Sequence, residues 1–93
     1  MSILEPSAID EALEGLAGWR REDDAIHREY RFAGFREAID FINRVADVAE
    51  EANHHPELTN VYSTVEVRLS SHDVGGVTER DLALARAIER ASR

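Results

Sequence analysis

The sequence contains no cysteine, so disulfide bonds and thiolate chemistry are excluded. It also has no apolar run approaching the ~20 residues that a membrane-spanning helix needs. The N-terminal segment, with Glu5, Asp10 and Glu11, does not have the pattern of a signal peptide. Together these absences predict a cytoplasmic protein.

Clusters of basic residues are missing as well. The eleven basic residues are scattered along the chain, and the net charge is −8. A protein that binds nucleic acid directly needs Lys and Arg gathered against the phosphates. The sequence therefore predicts no direct nucleic-acid partner, and it contains neither an internal repeat nor a low-complexity tract.

Hydrophobic residues make up 43% of the 93 positions and recur at helical and strand spacings, which is typical of a folded chain. A chain of this length is expected to form a single domain, residues 1–93. Its core can only be modest in size, so we expect self-association to bury additional surface.

The first third of the sequence predicts a helix followed by a strand hairpin. Ser7 is the expected N-cap of the helix, with Asp10 as a weak capping-box partner. The apolar face of this helix contains Ile9, Ala12, Leu13 and Leu16. Strands are predicted at 19–21 and 26–32, on either side of a polar turn at 22–24.

The second of these strands has one apolar and one polar face. The apolar face contains Ile26, Tyr30 and Phe32. Arg28 interrupts that face, and its long stem is expected to reach an edge of the sheet. His27 lies on the polar face and is interpreted as an ordinary surface residue.

A long amphipathic helix is predicted over 35–52, with Gly34 as its N-cap. Its apolar stripe contains Phe35, Ala38, Ile39, Ile42, Val45, Ala46 and Ala49. Phe41 and Val48 lie outside that stripe, so Phe41 is expected on the surface, where it could contact a partner.

Two further strands are predicted at 58–62 and 65–70, joined at 63–64, and a loop with paired glycines follows at 72–76. Thr78 then caps a last helix, with Asp81 at the N3 position. The apolar stripe of this helix contains Leu84, Ala87, Ile88 and Ala91.

The predicted order is helix, strand, strand, helix, strand, strand, helix. Both strand pairs are joined too tightly for parallel crossovers, so the sheet is expected to be antiparallel. Strands with one polar face and helices with one apolar face then predict an α+β fold. We expect a two-layer sandwich, with three helices on one face of a four-stranded antiparallel sheet.

Three of the four histidines lie in or shortly after one helix-to-strand corner. His54 and His55 directly precede Pro56, and His72 follows the second hairpin, whose out-and-back path is expected to return it close to Pro56. Imidazole titrates near neutral pH and is the usual proton-transfer group. Glu50, one helical turn before His54, could fix the tautomer of an imidazole.

Other interpretations of the same residues stay open. Histidines at a helix C-terminus can act as caps, and a loop residue such as His72 is often a solvated surface side chain. The spacing Glu51-x-x-His54 occurs in metal-binding helix bundles, and His54, His72 and a carboxylate could bind zinc. Asp81 can be a capping group alone, and Tyr62 is interpreted as part of the core or of a cleft wall.

The full spacing resembles the signature of the pterin-4a-carbinolamine dehydratases, a family also known as a dimerisation cofactor of a homeodomain transcription factor. The matching pattern is Glu50-x3-His54-His55-Pro56-x5-Tyr62-x9-His72-x8-Asp81. The segments around Trp19, 30–32, 60–62, 69–72 and 79–81 are similar too. The resemblance implies the fold predicted above and a hydro-lyase that uses neither metal nor cofactor. Its reaction would be loss of water from a 4a-hydroxytetrahydropterin to give the quinonoid dihydropterin, in tetrahydrobiopterin recycling.

The resemblance also implies roles for individual residues. His54 and His72 would be the principal acid–base pair, and His55 would assist proton transfer or binding. Glu50 would tune or orient an imidazole. The supporting residues would be Tyr62 and Asp81. The pterin pocket would be lined by His54, His55, Pro56, Ser71, His72, Asp73 and Val74.

Two positions depart from the animal members of the family. Asn53 stands where they usually carry Asp, which removes a negative charge near the imidazoles, and Leu58 stands where an aromatic residue is common. Members of the family are similar in forming homodimers or homotetramers. The alternative function is a non-catalytic binding, assembly or transcriptional dimerisation module on the same fold.

Overall fold

The computed structural model of the chain describes residues 2–93. Its elements are α1 (Pro6–Leu13), β1 (Arg20–Glu22), β2 (Ala25–Arg31), α2 (Phe35–Ala52), β3 (Glu57–Val61), β4 (Thr64–Leu69) and α3 (Glu79–Ala91). The strands form one sheet in the order β1-β2-β4-β3, and every neighbouring pair is antiparallel. The predicted α+β fold is therefore confirmed.

The two faces of the sheet differ in polarity, which decides where the helices pack. On the inner face, Ile26 lies opposite Leu69 and Tyr30 lies opposite Val65, and all four side chains are buried. The outer face carries His27, Glu29, Glu66 and Arg68. Because only the inner face is apolar, buried side chains of all three helices join one core against it.

The predicted limits of α2 are confirmed, and so is the burial of Ala38, Val45 and Ala49 in the predicted stripe. The stripe is wrong in including Phe35, which is exposed, and in leaving out Phe41, which is buried. The fully buried residues of α2 are Ala38, Phe41, Val45 and Ala49. The ring centroid of Phe41 lies 4.7 Å from that of Tyr30 and 5.0 Å from that of Phe32, whereas Phe35 is 52% exposed. Apolar residues cover a wide arc of this helix, so spacing alone did not show which part of the arc faces the sheet.

The expected capping box at the start of α1 is also wrong. Glu5 is the N-cap, without a side-chain hydrogen bond, and Pro6 supplies the preset backbone angle that suits a first helical turn. Ser7 therefore lies inside the helix. Asp10 instead accepts a hydrogen bond from Arg21 of β1, at 2.9 Å from Nε to Oδ1, and this bond lowers the pKa of Asp10.

Arg28 points into the molecule and not to the edge of the sheet, because α3 offers it a partner. Glu89 accepts hydrogen bonds from Arg28, from the Tyr30 hydroxyl and, at 3.0 Å, from Trp19 Nε1. The Arg28 guanidinium also lies 4.3 Å from the centre of the Tyr30 ring and donates to the carbonyl of Ala17. Burial and the bond to Glu89 raise the pKa of Tyr30, while the three donors outweigh the effect of burial and lower the pKa of Glu89.

Glu89→Gln is expected to lower the free energy of unfolding by about 2 kcal/mol near neutral pH, because three donors lose a charged acceptor. Since the pKa of Glu89 is lowered by folding, its contribution is present above the ordinary value of 4.5 and is lost as the pH falls through the folded value. Urea unfolding at about pH 7 and about pH 3.5 should therefore show a difference from wild type that narrows in acid.

The control for this experiment is Glu51→Gln, because Glu51 is an exposed carboxylate near the end of α2. It should change the unfolding free energy by less than about 0.5 kcal/mol. Equal losses in the two variants would mean that the Glu89 network does not stabilise the core.

Candidate active site

The corner between α2 and β3 is built by one residue in an unusual backbone conformation. Asn53 follows the last residue of α2 with φ 50° and ψ 42°, in the left-handed region that asparagine tolerates better than most residues. The N–H of His54 then donates to the carbonyl of Ala49 at 3.1 Å, which folds the chain back over the helix end. Pro56 follows at once and cannot continue the helix.

His54 lies beneath the surface against α3. Its side chain is 11% exposed, and its Nε2 lies 2.5 Å from Oδ1 of Asp81, which is fully buried. The other carboxylate oxygen of Asp81 accepts hydrogen bonds from the Ser71 hydroxyl and from the N–H of Thr78, both at 2.9 Å. Asp81 thus completes the capping box predicted at the start of α3 and also contacts an imidazole.

The contact with Asp81 defines which nitrogen of His54 a ligand can use. A carboxylate at Nε2 favours the tautomer that carries its proton there. Nδ1 is then the nitrogen left for exchange with a substrate. A cavity of about 170 Å³ lies beside this ring, lined by Ala52, His54, Arg80, Ala83, Leu84 and Ala87.

His55 points to the surface and contacts the residue that was expected to serve His54. Its Nε2 lies 2.5 Å from Oε2 of Glu50, and its side chain is 58% exposed. The expected pairing of Glu50 with His54 assumed that the helix continues through both residues. Because Asn53 reverses the chain, His54 leaves the helical spacing and turns to α3, and His55 takes its place beside Glu50.

His72 returns to this corner through the second hairpin. Glu57, directly after Pro56, pairs in register with Arg68 near the end of β4. His72 follows that strand, and its Nε2 lies 4.0 Å from Oε1 of Glu57. The side chain is 74% exposed. The hairpin therefore brings His72 to the residue that follows the other two histidines.

The loop that carries His72 is tied to α3 through Ser71 and Asp73. Ser71 is fully buried, so its side chain lies beneath the loop, and its carbonyl accepts hydrogen bonds from the N–H groups of Val74 and Gly75. Gly75 has φ 77°, a conformation that few side chains allow. Asp73 is exposed and accepts a 2.6 Å hydrogen bond from Arg80, which lowers the pKa of that carboxyl.

The structure does not bring every predicted residue to the corner. Tyr62 lies in the turn between β3 and β4, at the far end of the hairpin from Pro56, with φ 52° and 66% exposure. It is therefore neither a core residue nor a wall beside the histidines of its own chain. Leu58 is 37% exposed on the edge strand β3.

The structure does not assemble the zinc site that was left open. Within residues 2–93, no group of three or more His, Asp or Glu side chains is arranged to hold a metal ion. Nε2 of His54 faces Asp81, and Nε2 of His72 faces Glu57, so these two imidazoles face carboxylates on different elements.

Two residues of the corner were not given their roles by sequence reasoning. Asp81 was expected as a cap and, by the resemblance, as a supporting residue, but its contact with His54 across 27 residues has no local signal. The sequence analysis assigns no role to Glu57, although its position directly after Pro56 places it at the same corner as the histidines. In both cases the contact between carboxylate and imidazole depends on tertiary structure, which spacing along the chain does not predict.

Asp81→Asn is expected to lower the free energy of unfolding by about 1–3 kcal/mol, because the two donors on Oδ2 and the His54 ring lose a charged, buried acceptor. Urea unfolding followed by circular dichroism measures the loss. Asp73→Asn is the matched control. Because the ion pair of Asp73 with Arg80 is exposed, its loss should lower the free energy of unfolding by less than about 1 kcal/mol. A larger loss for Asp73→Asn than for Asp81→Asn would contradict this ranking.

The fold and the histidine corner together define a class of protein. It is an α+β sandwich that gathers three imidazoles, each facing its own carboxylate, at the end of its longest helix. No helix within residues 2–93 is both long and apolar enough to cross a membrane.

Comparison with known proteins identifies the family. The profile described as pterin 4 alpha carbinolamine dehydratase matches residues 2–91. The chain therefore belongs to the pterin-4a-carbinolamine dehydratase family, and the predicted family and its hydro-lyase class are confirmed.

Similar proteins agree over nearly the whole chain. A protein of Thermomicrobium roseum is 49% identical over 88 residues, which cover 95% of both chains. A protein of Opitutus terrae is 50% identical over 92 residues, covering 98% of this chain and 95% of the relative. Both carry the provisional name pterin-4-alpha-carbinolamine dehydratase.

Two solved structures share the fold. A transcriptional coactivator/pterin dehydratase from Brucella melitensis superposes with a TM-score of 0.94 at 38% identity, covering 99% of this chain and 100% of that one. A pterin dehydratase-like protein identified as a RuBisCO assembly factor in the alpha-carboxysome has a TM-score of 0.66 at 16% identity, covering 80% and 86%. The second likeness concerns the fold alone.

Proposed function

We propose that the protein is a dehydratase that converts a 4a-hydroxytetrahydropterin to the quinonoid dihydropterin and water. Membership of the family supports this activity. The observation that carries it is the corner itself, where His54 is held against Asp81 and His72 returns to Glu57. Proton donors and acceptors oriented by carboxylates are what this elimination needs.

The reaction breaks one carbon–oxygen bond and moves two protons. The hydroxyl on the ring carbon leaves as water only if it receives a proton as the bond breaks. The adjacent ring nitrogen loses its proton, and the electron pair of that N–H bond forms the new carbon–nitrogen double bond. One imidazolium and one neutral imidazole near the ring would supply both transfers without any net change in protons on the enzyme.

In this proposal His54 and His72 are the acid–base pair. Asp81 fixes the orientation of the His54 ring, which prepares it for proton transfer. His55, held by Glu50 on the surface side, assists transfer or contacts the substrate. The pterin would lie over 54–56 and 71–74, where backbone groups can bind the ring edge.

The first experiment measures dehydration of a 4a-hydroxytetrahydropterin generated in situ, relative to the spontaneous rate. Wild type should accelerate the reaction, and His54→Ala and His72→Ala should each lose about 10²- to 10⁴-fold of kcat, the usual contribution of one general acid or base. His27→Ala is the matched control, because His27 lies on the outer face of the sheet and pairs with Glu22.

The possible outcomes distinguish the dehydratase activity, the role of His72 and an effect of the substitutions on the fold. A folded wild-type protein without acceleration would contradict the dehydratase activity. Full activity in His72→Ala would remove that residue from the acid–base pair. Equal losses in His27→Ala would show that loss of any histidine disturbs the fold, and circular dichroism of each variant checks this.

A second candidate function is a binding or assembly module. It is favoured by the solved structure from Brucella melitensis, which is described as a transcriptional coactivator/pterin dehydratase. Such a function should not need proton transfer. A stoichiometric partner recovered equally by wild type and by His54→Ala would support it, whereas a partner lost with the histidine would not.

The proposed function includes self-association, for which α2 offers a surface. A groove of about 530 Å³ runs along its exposed side, lined by Phe35, Arg36, Ile39, Asp40 and Asn43. Phe35 is 52% exposed there, and a second copy would cover it. Phe41, which was expected to serve this purpose, is buried in the core.

Light scattering at micromolar concentration is expected to give at least a dimer, and Phe35→Glu should shift the mass towards the monomer because it places a charge in the covered groove. Leu58→Glu, on the exposed edge strand, is a control at another apolar surface position. A monomeric wild type would contradict self-association. The cytoplasmic location stays a prediction.

A further inference from the structure

A run of alternating charges crosses the outer face of the sheet and ends at His72. The guanidinium of Arg68 lies 3.2 Å from carboxylate oxygens of Glu22 and Asp24 and 3.7 Å from Oε2 of Glu57. The other oxygen of Glu57 lies 4.0 Å from Nε2 of His72. Glu57 therefore connects a largely buried arginine to an exposed imidazole.

We propose that Glu57 is the positioning residue for His72. Its carboxylate, oriented by Arg68, accepts a hydrogen bond from the Nε2–H of His72, so that Nδ1 of this ring faces the substrate. The inference rests on the proposed function, because it names the residue that orients one of the two acid–base groups.

The arrangement at His72 repeats that of the other two histidines at the corner. Nε2 of His54 faces Asp81, and Nε2 of His55 faces Glu50, both at 2.5 Å. The contact of His72 is longer and more exposed. Catalytic hydrogen bonds are often long in the free enzyme and shorten when substrate binds, so a bound pterin would bring the His72 side chain onto Glu57.

Arg68 is what makes Glu57 suited to this role. A carboxylate on an edge strand, with 61% of its side chain exposed, would ordinarily sample several rotamers. Arg68 is only 27% exposed and is itself held by Glu22 and Asp24, so it offers Glu57 a fixed, always charged partner. The orientation of Glu57 is therefore set before His72 reaches it.

Kinetics provide the first test. Glu57→Gln should lower kcat by about two- to fivefold with little change in KM, as expected for loss of one exposed charged contact that orients a catalytic group. Glu66→Gln is the matched control: it removes a charge from the outer face of β4, and Glu66 lies opposite Thr59 and Glu29, away from His72. Its kcat should equal that of wild type.

A double variant shows whether the effect passes through His72. In a His72→Ala background, Glu57→Gln should change the residual rate by less than about 1.5-fold, because a positioning residue has nothing left to orient. Arg68→Gln and Glu57→Gln combined should be no slower than the slower single variant. Additive losses in these combinations would overturn the proposal.

A spectroscopic test does not depend on turnover. Long-range ¹H–¹⁵N spectra report which nitrogen of each neutral imidazole carries the proton, and His72→Ala identifies the signals of His72. We expect the share of the Nε2–H tautomer at His72 to be the same in wild type and in Glu66→Gln, and to fall in Glu57→Ala. An unchanged His72 spectrum in Glu57→Ala would refute the positioning role even if wild type proves inactive as a dehydratase.

Discussion

The histidine corner depends on one fully buried carboxylate. Asp81 caps the first turn of α3, accepts a hydrogen bond from the Ser71 hydroxyl and contacts the His54 ring. Three separate segments therefore share one acceptor. A buried charge is costly unless its partners are all present, which means that the helix cap, the loop and the imidazole must assemble together. Fold and candidate active site are inseparable at this point.

A second carboxylate anchors the other end of the same helix. Glu89 lies about two helical turns after Asp81 and collects Trp19, Arg28 and Tyr30 from the N-terminal half of the chain. Helix α3 is thus attached by one polar group near each end, Asp81 to the corner and the loop and Glu89 to β2. Between them Leu82, Leu84, Ala85 and Ile88 are buried. This double attachment fixes the rotation of α3, and with it the direction in which Asp81 points towards His54.

Periodicity was sufficient for the elements and for their order. It placed α2 at its observed limits, identified the strand pairs and found the capping box at Thr78, because each of these depends on neighbours in sequence. It failed wherever tertiary contacts decide. Phe41 faces the sheet because its ring packs against those of Tyr30 and Phe32. Arg28 turns inward because it donates a hydrogen bond to Glu89 of α3.

The candidate site shows the same limit at finer scale. The resemblance predicts its residue types, and the hairpin path predicts the return of His72, but tertiary contacts decide which carboxylate faces each imidazole. Glu50 was assigned by helical spacing to His54, yet the left-handed turn at Asn53 gives it to His55. The left-handed backbone conformation of Asn53, which hydrophobic periodicity does not predict, changes which histidine contacts Glu50.

The spread of these contacts along the chain bears on the order in which the molecule folds. The corner contacts join residues between 50 and 81, and the longest of them, from His54 to Asp81, spans 27 positions. Pairing of β2 with β4 closes a longer loop, from His27 to Arg68. Since loop closure becomes entropically harder with length, the corner contacts cost less chain entropy to close than the pairing of β2 with β4. The corner is thus the more local assembly, but the direction of Asp81 is fixed only when the N-terminal half docks against Glu89.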